Sequence, residues 1–140
     1  MIKIFIADDH AIVREGLKQI VAETTDMAVT DEADTGHEVL EKVSENDYDV
    51  LVLDITMPGL NGLDALKQLK SQRPDLPVLV LSIHPEEQYA VRVLRAGASG
   101  YLTKESAPDE LISAIRKVSM GGKYVTPSLA EKLASDLVAD

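Results

Sequence analysis

Val50-Leu51-Val52-Leu53-Asp54 decides the fold: an unbroken run of β-branched and leucine residues stops abruptly on a carboxylate. A strand with one wet face alternates apolar and polar residues, whereas a continuous apolar run predicts a strand buried on both faces, as in a parallel sheet covered by helices. The same pattern recurs at 78–81, ending on Ser82, and at 2–7, ending on Asp8 and Asp9. Two more polar strands are expected at 27–32 and 99–102. Helical spacing fills the intervals. Ile12, Val13, Leu17, Ile20 and Val21 mark 11–22, and Val39, Leu40 and Val43 mark 36–45. After the turn signals Pro58-Gly59 and Asn61-Gly62, Leu63, Leu66 and Leu69 mark a third helix. A fourth covers 86–96 and stops at Gly97; a fifth runs from Pro108 through Leu111, Ile112, Ile115 and Val118 to Gly121-Gly122.

Strands alternating with helices through right-handed crossovers predict an α/β fold, a doubly wound five-stranded parallel sheet with helices on both faces in three layers. The apolar first, third and fourth strands belong in the centre, and the more polar second and fifth at the edges. That gives the order 2-1-3-4-5.

The composition narrows the function. The chain has 140 residues, 45% apolar and 27% charged, which suits one soluble domain with a real core. There is no cysteine, so disulfide scaffolds, thiol catalysis and cysteine-ligated metals are excluded. The opening apolar run is cut off by Asp8-Asp9, too short for a signal peptide, and no stretch approaches the ~20 apolar residues of a membrane span. A cytoplasmic protein without membrane association is expected. The formal net charge of −10 argues against DNA binding by this segment itself. The tail is set apart by the turn-rich GGKYVTP, followed by Leu129, Leu133 and Leu137 at four-residue spacing. That last helix either packs or frays beside the domain, or begins a connector.

Ligands of open parallel sheets bind at the carboxyl ends of the strands. Asp8 and Asp9, Asp54, Ser82 and Lys104 all fall at or just after such ends. Singly, each has a structural explanation: an aspartate can cap a helix, and a lysine can lie on a solvated loop. Together they describe clustered carboxylates that need positive charge, which a hard divalent ion supplies through oxygen ligands. A lysine opposite then holds an anion between itself and the metal, and a carboxylate can act as the nucleophile toward a phosphoryl group. The histidines His10, His37 and His84 lie in separate segments and form no chelating pattern.

Three stretches, IFIADDHAIVREGL, VLVLDITMPGLNGLDALKQL and VLVLSIHPEEQYAVRVLRAGASGYLTKES, in this order and spacing, resemble the receiver domains of two-component response regulators. DDHAIVREGL with GASGYLTKES most resembles the NarL/FixJ-like transcriptional regulators. The resemblance implies a flavodoxin-like receiver domain over 1–120, with 121–140 a linker and the start of a connector helix toward an absent output domain. It implies that Asp54 is the phosphoacceptor, and that Asp9, Asp54 and the Thr56 carbonyl bind Mg²⁺, Mn²⁺ being the alternative ion, with Asp8 acting through metal-bound water. Lys104 would pair with the phosphoryl group. Ser82 would bond to it, and Tyr101 would be the switch aromatic. Pro58 and Gly59 would shape the loop after the acceptor, and Thr56 and His84 would tune dephosphorylation. Glu105 stands where many receivers have proline, a departure common in the NarL/FixJ-like subgroup.

The implied partners are a sensor histidine kinase and, after phosphorylation, a second copy of the chain. DNA would be reached only through an absent carboxy-terminal helix-turn-helix domain. Val91, Arg95, Glu110 and Lys117 are one candidate interface; Val13, Arg14 and Leu17 are another. No outside substrate is turned over; the chemistry is self-phosphorylation from a donor and self-dephosphorylation. The alternative is a stand-alone receiver that relays phosphate or binds a target protein. A cofactor-binding flavodoxin is disfavoured because acidic DDHA, without a glycine cluster, occupies the place of a phosphate-cradling loop. A phosphatase working through an aspartyl phosphate is disfavoured because no substrate-covering insertion is evident.

Overall fold

The computed structural model describes residues 1–57, 62–83 and 86–139, and the side chains at 62, 86–88 and 136–139 fall outside that description. Five parallel strands, β1 (Ile2–Ala7), β2 (Met27–Ala33), β3 (Val50–Asp54), β4 (Val78–Ser82) and β5 (Gly100–Thr103), take the order β2-β1-β3-β4-β5. The helices are α1 (Ala11–Ala22), α2 (Gly36–Glu45), α3 (Gly62–Gln72), α4 (Glu86–Arg95), α5 (Ala107–Ser119) and α6 (Pro127–Ala139).

The apolar runs are continuous because both faces of the sheet are covered. Phe5, Leu51, Leu53, Val78 and Val80 pack with Val39, Leu66, Leu69 and Val93 from α2, α3 and α4. Their strand neighbours Ile4, Ile6, Val50, Val52, Leu79 and Leu81 pack on the opposite side with Leu17, Val21, Leu111 and Ile115 from α1 and α5. This is the two-residue period of a strand read on both faces at once. The register then brings the polar strand ends together: Ala7 pairs with Leu53, Asp54 with Leu81 and Ser82 with Thr103.

The two edges are protected differently. At β2, Glu32 meets Arg14 at 3.1 Å and Lys18 at 2.9 Å, while Asp31 takes the Lys42 ammonium at 2.9 Å and the Tyr48 hydroxyl at 2.6 Å. Charged groups on an edge strand discourage pairing with other chains. At β5 the expected polar edge is largely apolar, for Tyr101 and Leu102 are buried. The chain beyond α5 covers it, with Tyr124 N–H donating to the Ser99 carbonyl at 2.9 Å and Gly100 bridging Tyr124 in parallel. Glycine permits that approach, since a Cβ at 100 would lie 2.9 Å from the Tyr124 carbonyl oxygen.

These edge contacts hold protons. The Tyr48 phenol is pushed up to about 12 by burial and then by its bond to Asp31, and Tyr124 to about 12 by burial and its bond to Glu110. An unfolded tyrosine ionises near pH ~10. Between pH ~10 and the folded values the native state therefore binds more protons, and stability falls as pH rises through that window. A spectrophotometric titration at alkaline pH should show late-ionising phenols, with part of the late step removed by Tyr48→Phe and part by Tyr124→Phe. Ionisation of all tyrosines in one early step while circular dichroism stays native would contradict this.

The tail helix docks. Leu129 of α6 is buried in the cluster that contains Val93 and Tyr101, Leu133 packs at its margin, and the Thr126 hydroxyl accepts the Leu129 N–H at 3.1 Å to start the helix. The Leu137 side chain lies outside the described residues. Leu129→Ala should cost about 2–3 kcal/mol. Hydrogen exchange should show the loss first in α6, with β3 still protected; equal loosening of both would mean that α6 is not a separable layer.

Two surface expectations need correction. Leu17 is 5% exposed, Val13 packs against the same core, and Arg14 is engaged with Glu32 and with the Asp8 carbonyl, so these three do not form an open face. The helical period carries them inward, and the exposed apolar residue of that turn is Ile12. Val91 is half-buried against α6, and Glu110 accepts the Tyr124 hydroxyl at 2.7 Å, which leaves Arg95 and Lys117 as the exposed members of the other set.

Candidate functional site

Each polar group at the carboxyl edge follows an apolar strand that fixes its position. Asp8 leaves β1 with its N–H bonded to the Ala33 carbonyl at 3.0 Å, and its own carbonyl accepts Arg14 Nη1 at 2.6 Å. Asp54 is the last residue of β3 and Ser82 the last of β4. Lys104 follows β5, and its N–H donates to the Ser82 carbonyl at 2.8 Å. Residues far apart in sequence therefore share one cleft.

Asp8, Asp54 and Ser82 are buried polar residues at 1% exposure or less. The Lys104 ammonium lies 2.9 Å from Asp8 Oδ2 and 3.3 Å from Asp54 Oδ2, bridging the two carboxylates. Asp54 Oδ1 accepts the Thr56 N–H at 3.1 Å and the Thr56 hydroxyl at 3.0 Å. Burial raises the Asp54 carboxyl above its ordinary value; the Asp8 charge adds to this, and Thr56 and Lys104 oppose it. Burial alone would lower Lys104, but contact with Asp8 and the charge of Asp54 leave it raised. The site thus holds its lysine charged and disfavours charge on its central carboxylate.

Asp8, Asp9, His10 and Asp54 can each offer one ligand atom within 4.8 Å of the others. Asp8 Oδ2 and Asp9 Oδ1 are buried without a hydrogen-bond partner, the Lys104 contact to Asp8 being an ion pair rather than a directed bond. Orphaned carboxylate oxygens are costly and call for a cation. With three carboxylates facing one ammonium, a divalent ion balances the charge. The residues fit such an ion.

The sequence-derived set Asp8, Asp9, Asp54, Thr56, Ser82 and Lys104 is brought to one edge. Tyr101, on β5, is 3% exposed and sits in the core on the α4 side. Pro58, Gly59 and His84 lie outside the described residues. Sequence reasoning passed over His10, because it looked for histidines paired with each other, whereas this one meets carboxylates. Its position directly after Asp8-Asp9 was the available signal. Arg14 was also missed as a support for the Asp8 backbone.

The family model of the response regulator receiver domain matches residues 4–116. The transcriptional regulatory protein DegU of Brevibacillus brevis is 42% identical over 135 residues, covering 96% of this chain and 57% of the relative. The chain therefore spans little more than half the length of that protein. Among solved structures, a two-component response regulator of the LuxR family from Aurantimonas sp. SI85-9A1 superposes with a TM-score of 0.86 at 33% identity, covering 97% of each chain. The isolated REC domain of RcsB from Salmonella enterica serovar Typhimurium, solved with the phosphomimetic BeF3⁻, gives a TM-score of 0.83 at 26% identity, covering 93% of this chain and 96% of that one.

Proposed function

This chain belongs to the response regulator receiver family, in its NarL/FixJ-like branch, and on that premise we propose that Asp54 accepts a phosphoryl group from a histidine kinase. The observation that carries the proposal is the Lys104 ammonium set between the buried Asp8 and Asp54 carboxylates. Such an arrangement has a cation ready for an incoming anion and a nucleophile beside it.

In the transfer, one Asp54 oxygen attacks phosphorus in line, the O–P bond forms as the donor's N–P bond breaks, and the donor imidazole leaves with its electron pair. Asp8, Asp9, Asp54 and the Thr56 carbonyl would hold Mg²⁺ or Mn²⁺, which, when bound, offsets the charge of the carboxylates and the transferring oxygens. Lys104 leaves Asp54 to pair with one phosphoryl oxygen, and the Ser82 hydroxyl donates to another. Thr56 and His84, two positions beyond Asp54 and Ser82, would set how readily water reaches the acyl phosphate, and Pro58 and Gly59 would be the loop-shaping residues that the family resemblance assigns.

The output follows from the same contacts. Ser82 and Lys104 are joined through their backbones. Drawing both toward a new dianion would shift the β4 and β5 ends, and with them Tyr101 and the α4–α6 layer packed above it. Residues 1–120 would form the receiver and 121–140 the linker into an output domain. The DegU relative is by name a transcriptional regulator, and RcsB has been solved as dimers bound to DNA; these support our reading of a homodimer that acts on DNA, with phosphorylation as its switch and a separate helix-turn-helix domain as its DNA contact.

Intact-mass spectrometry after incubation with acetyl phosphate tests the reading. One phosphoryl group should be gained with Mg²⁺ present and none with a chelator. No gain in folded protein with Mg²⁺ would contradict a receiver that can use small phosphodonors.

A further inference from the structure

Arg14 lies in the first turn of α1 with 19% of its side chain exposed, and it reaches back toward the cleft. Its Nη1 donates to the Asp8 carbonyl at 2.6 Å, and its Nε to Glu32 Oε1 at 3.1 Å. Ala7 and Ala33 are the last pair of the β1–β2 ladder, so the Asp8 carbonyl lies beyond its end. The Asp8 N–H is taken by the Ala33 carbonyl at 3.0 Å, and Glu32 is the residue before Ala33. Both polar groups of the Asp8 main chain are therefore held by consecutive residues of β2, one directly and one through Arg14. The turn so fixed carries Asp8 Oδ2 and Asp9 Oδ1, the two buried oxygens without a hydrogen-bond partner.

The bland explanation is an ion pair at a sheet edge, which contributes little. Such a pair has no need of a second arm on a main-chain oxygen. Here that arm makes the shorter bond. A lysine could reach one of the two acceptors, whereas the planar guanidinium spans both.

We propose that Arg14 is a positioning residue of the metal centre: braced on Glu32, it fixes the Asp8 main chain so that the Asp8 and Asp9 carboxylates stand in the ligating arrangement. The inference rests on the reading of this cluster as a Mg²⁺ site. The sign of the effect separates position from charge. A cation beside the cluster repels Mg²⁺, so removing Arg14 would tighten binding if charge were its only contribution. Loss of an orienting contact weakens binding instead.

Mg²⁺ affinity of the full chain and its variants would be measured from amide chemical shifts, which also report folding. Phosphoryl uptake from acetyl phosphate would be followed at saturating Mg²⁺. Arg14→Met and Arg14→Lys should each lose at least about tenfold in Mg²⁺ affinity, the second although it keeps the charge. Glu32→Ala should weaken binding too, and combining it with Arg14→Met should add no more than about twofold, because the two act as a unit. Uptake at saturating Mg²⁺ should stay within about threefold of wild type, as expected when only binding is lost. Arg116→Met, which breaks an exposed pair with Asp26, should change neither quantity. A smaller loss or tighter binding in either folded Arg14 variant, additive losses, or uptake that stays low at saturating Mg²⁺ would overturn the inference while leaving the wild-type site standing. Failure of the wild type to bind Mg²⁺ at all would remove both.

Discussion

Asp54→Asn should abolish phosphoryl uptake from acetyl phosphate and, without metal, make the domain more stable. The loss of uptake follows from removing the nucleophilic oxygen. The gain in stability follows from electrostatics. Asp54 is buried, close to Asp8, and has a carboxyl raised above its ordinary value. A carboxylate whose folded pKa exceeds its unfolded one binds more protons when folded, so stability falls as pH rises from the unfolded value, ~4, through the folded one. An amide escapes this loss and can still accept from Thr56, so the variant should be the more stable of the two in metal-free denaturation at neutral pH. Mg²⁺ should reverse the ranking, because a ligand that binds only the native state stabilises it in proportion to its affinity, and the wild type has the fuller ligand set. A variant less stable than wild type under metal-free conditions would mean that the Lys104–Asp54 contact outweighs burial and repulsion.

Lys104→Met carries the opposite expectation. The methionine keeps most of the stem's packing but leaves Asp8 and Asp54 facing each other with no ammonium between them. Breaking a buried ion pair from one side typically costs about 3–5 kcal/mol. Lys104 keeps 16% side-chain exposure, so water enters the cleft and the lower end of that range is expected. Mg²⁺ should restore part of the loss by taking over the role of the missing charge. Uptake should fall by roughly 10²–10³-fold, the usual effect of removing one group that stabilises charge in a transition state. Equal stability of Lys104→Met and wild type without metal would show that the carboxylates are already neutralised by protons.

The sheet order was readable because the central strands are apolar on both faces, a pattern visible at residues 50–53 and 78–81 without any long-range knowledge. The strand ends were readable for the same reason: a carboxylate that interrupts such a run must lie at the rim. What the sequence hid depends on tertiary contact. β5 reads as an edge, but its burial comes from Tyr124, more than twenty positions later, and from the docked α6. Helix spacing correctly made Leu17 an apolar-face residue, yet the period alone does not say whether that face meets the core or a partner. The clustering of Asp8, Asp54 and Lys104 was legible from topology, whereas the bond of the His10 ring to Asp8 is a local side-chain contact that no spacing rule announces.

Reduction of the acetyl phosphate-treated protein with borohydride, followed by peptide mass spectrometry, tests the central claim most directly, because an aspartyl phosphate is converted to homoserine at the residue that carried it. Homoserine at position 54, formed only when Mg²⁺ was present, is the predicted result. Homoserine at position 8 or 9, or phosphate retained on a serine or threonine with position 54 unreduced, would contradict it.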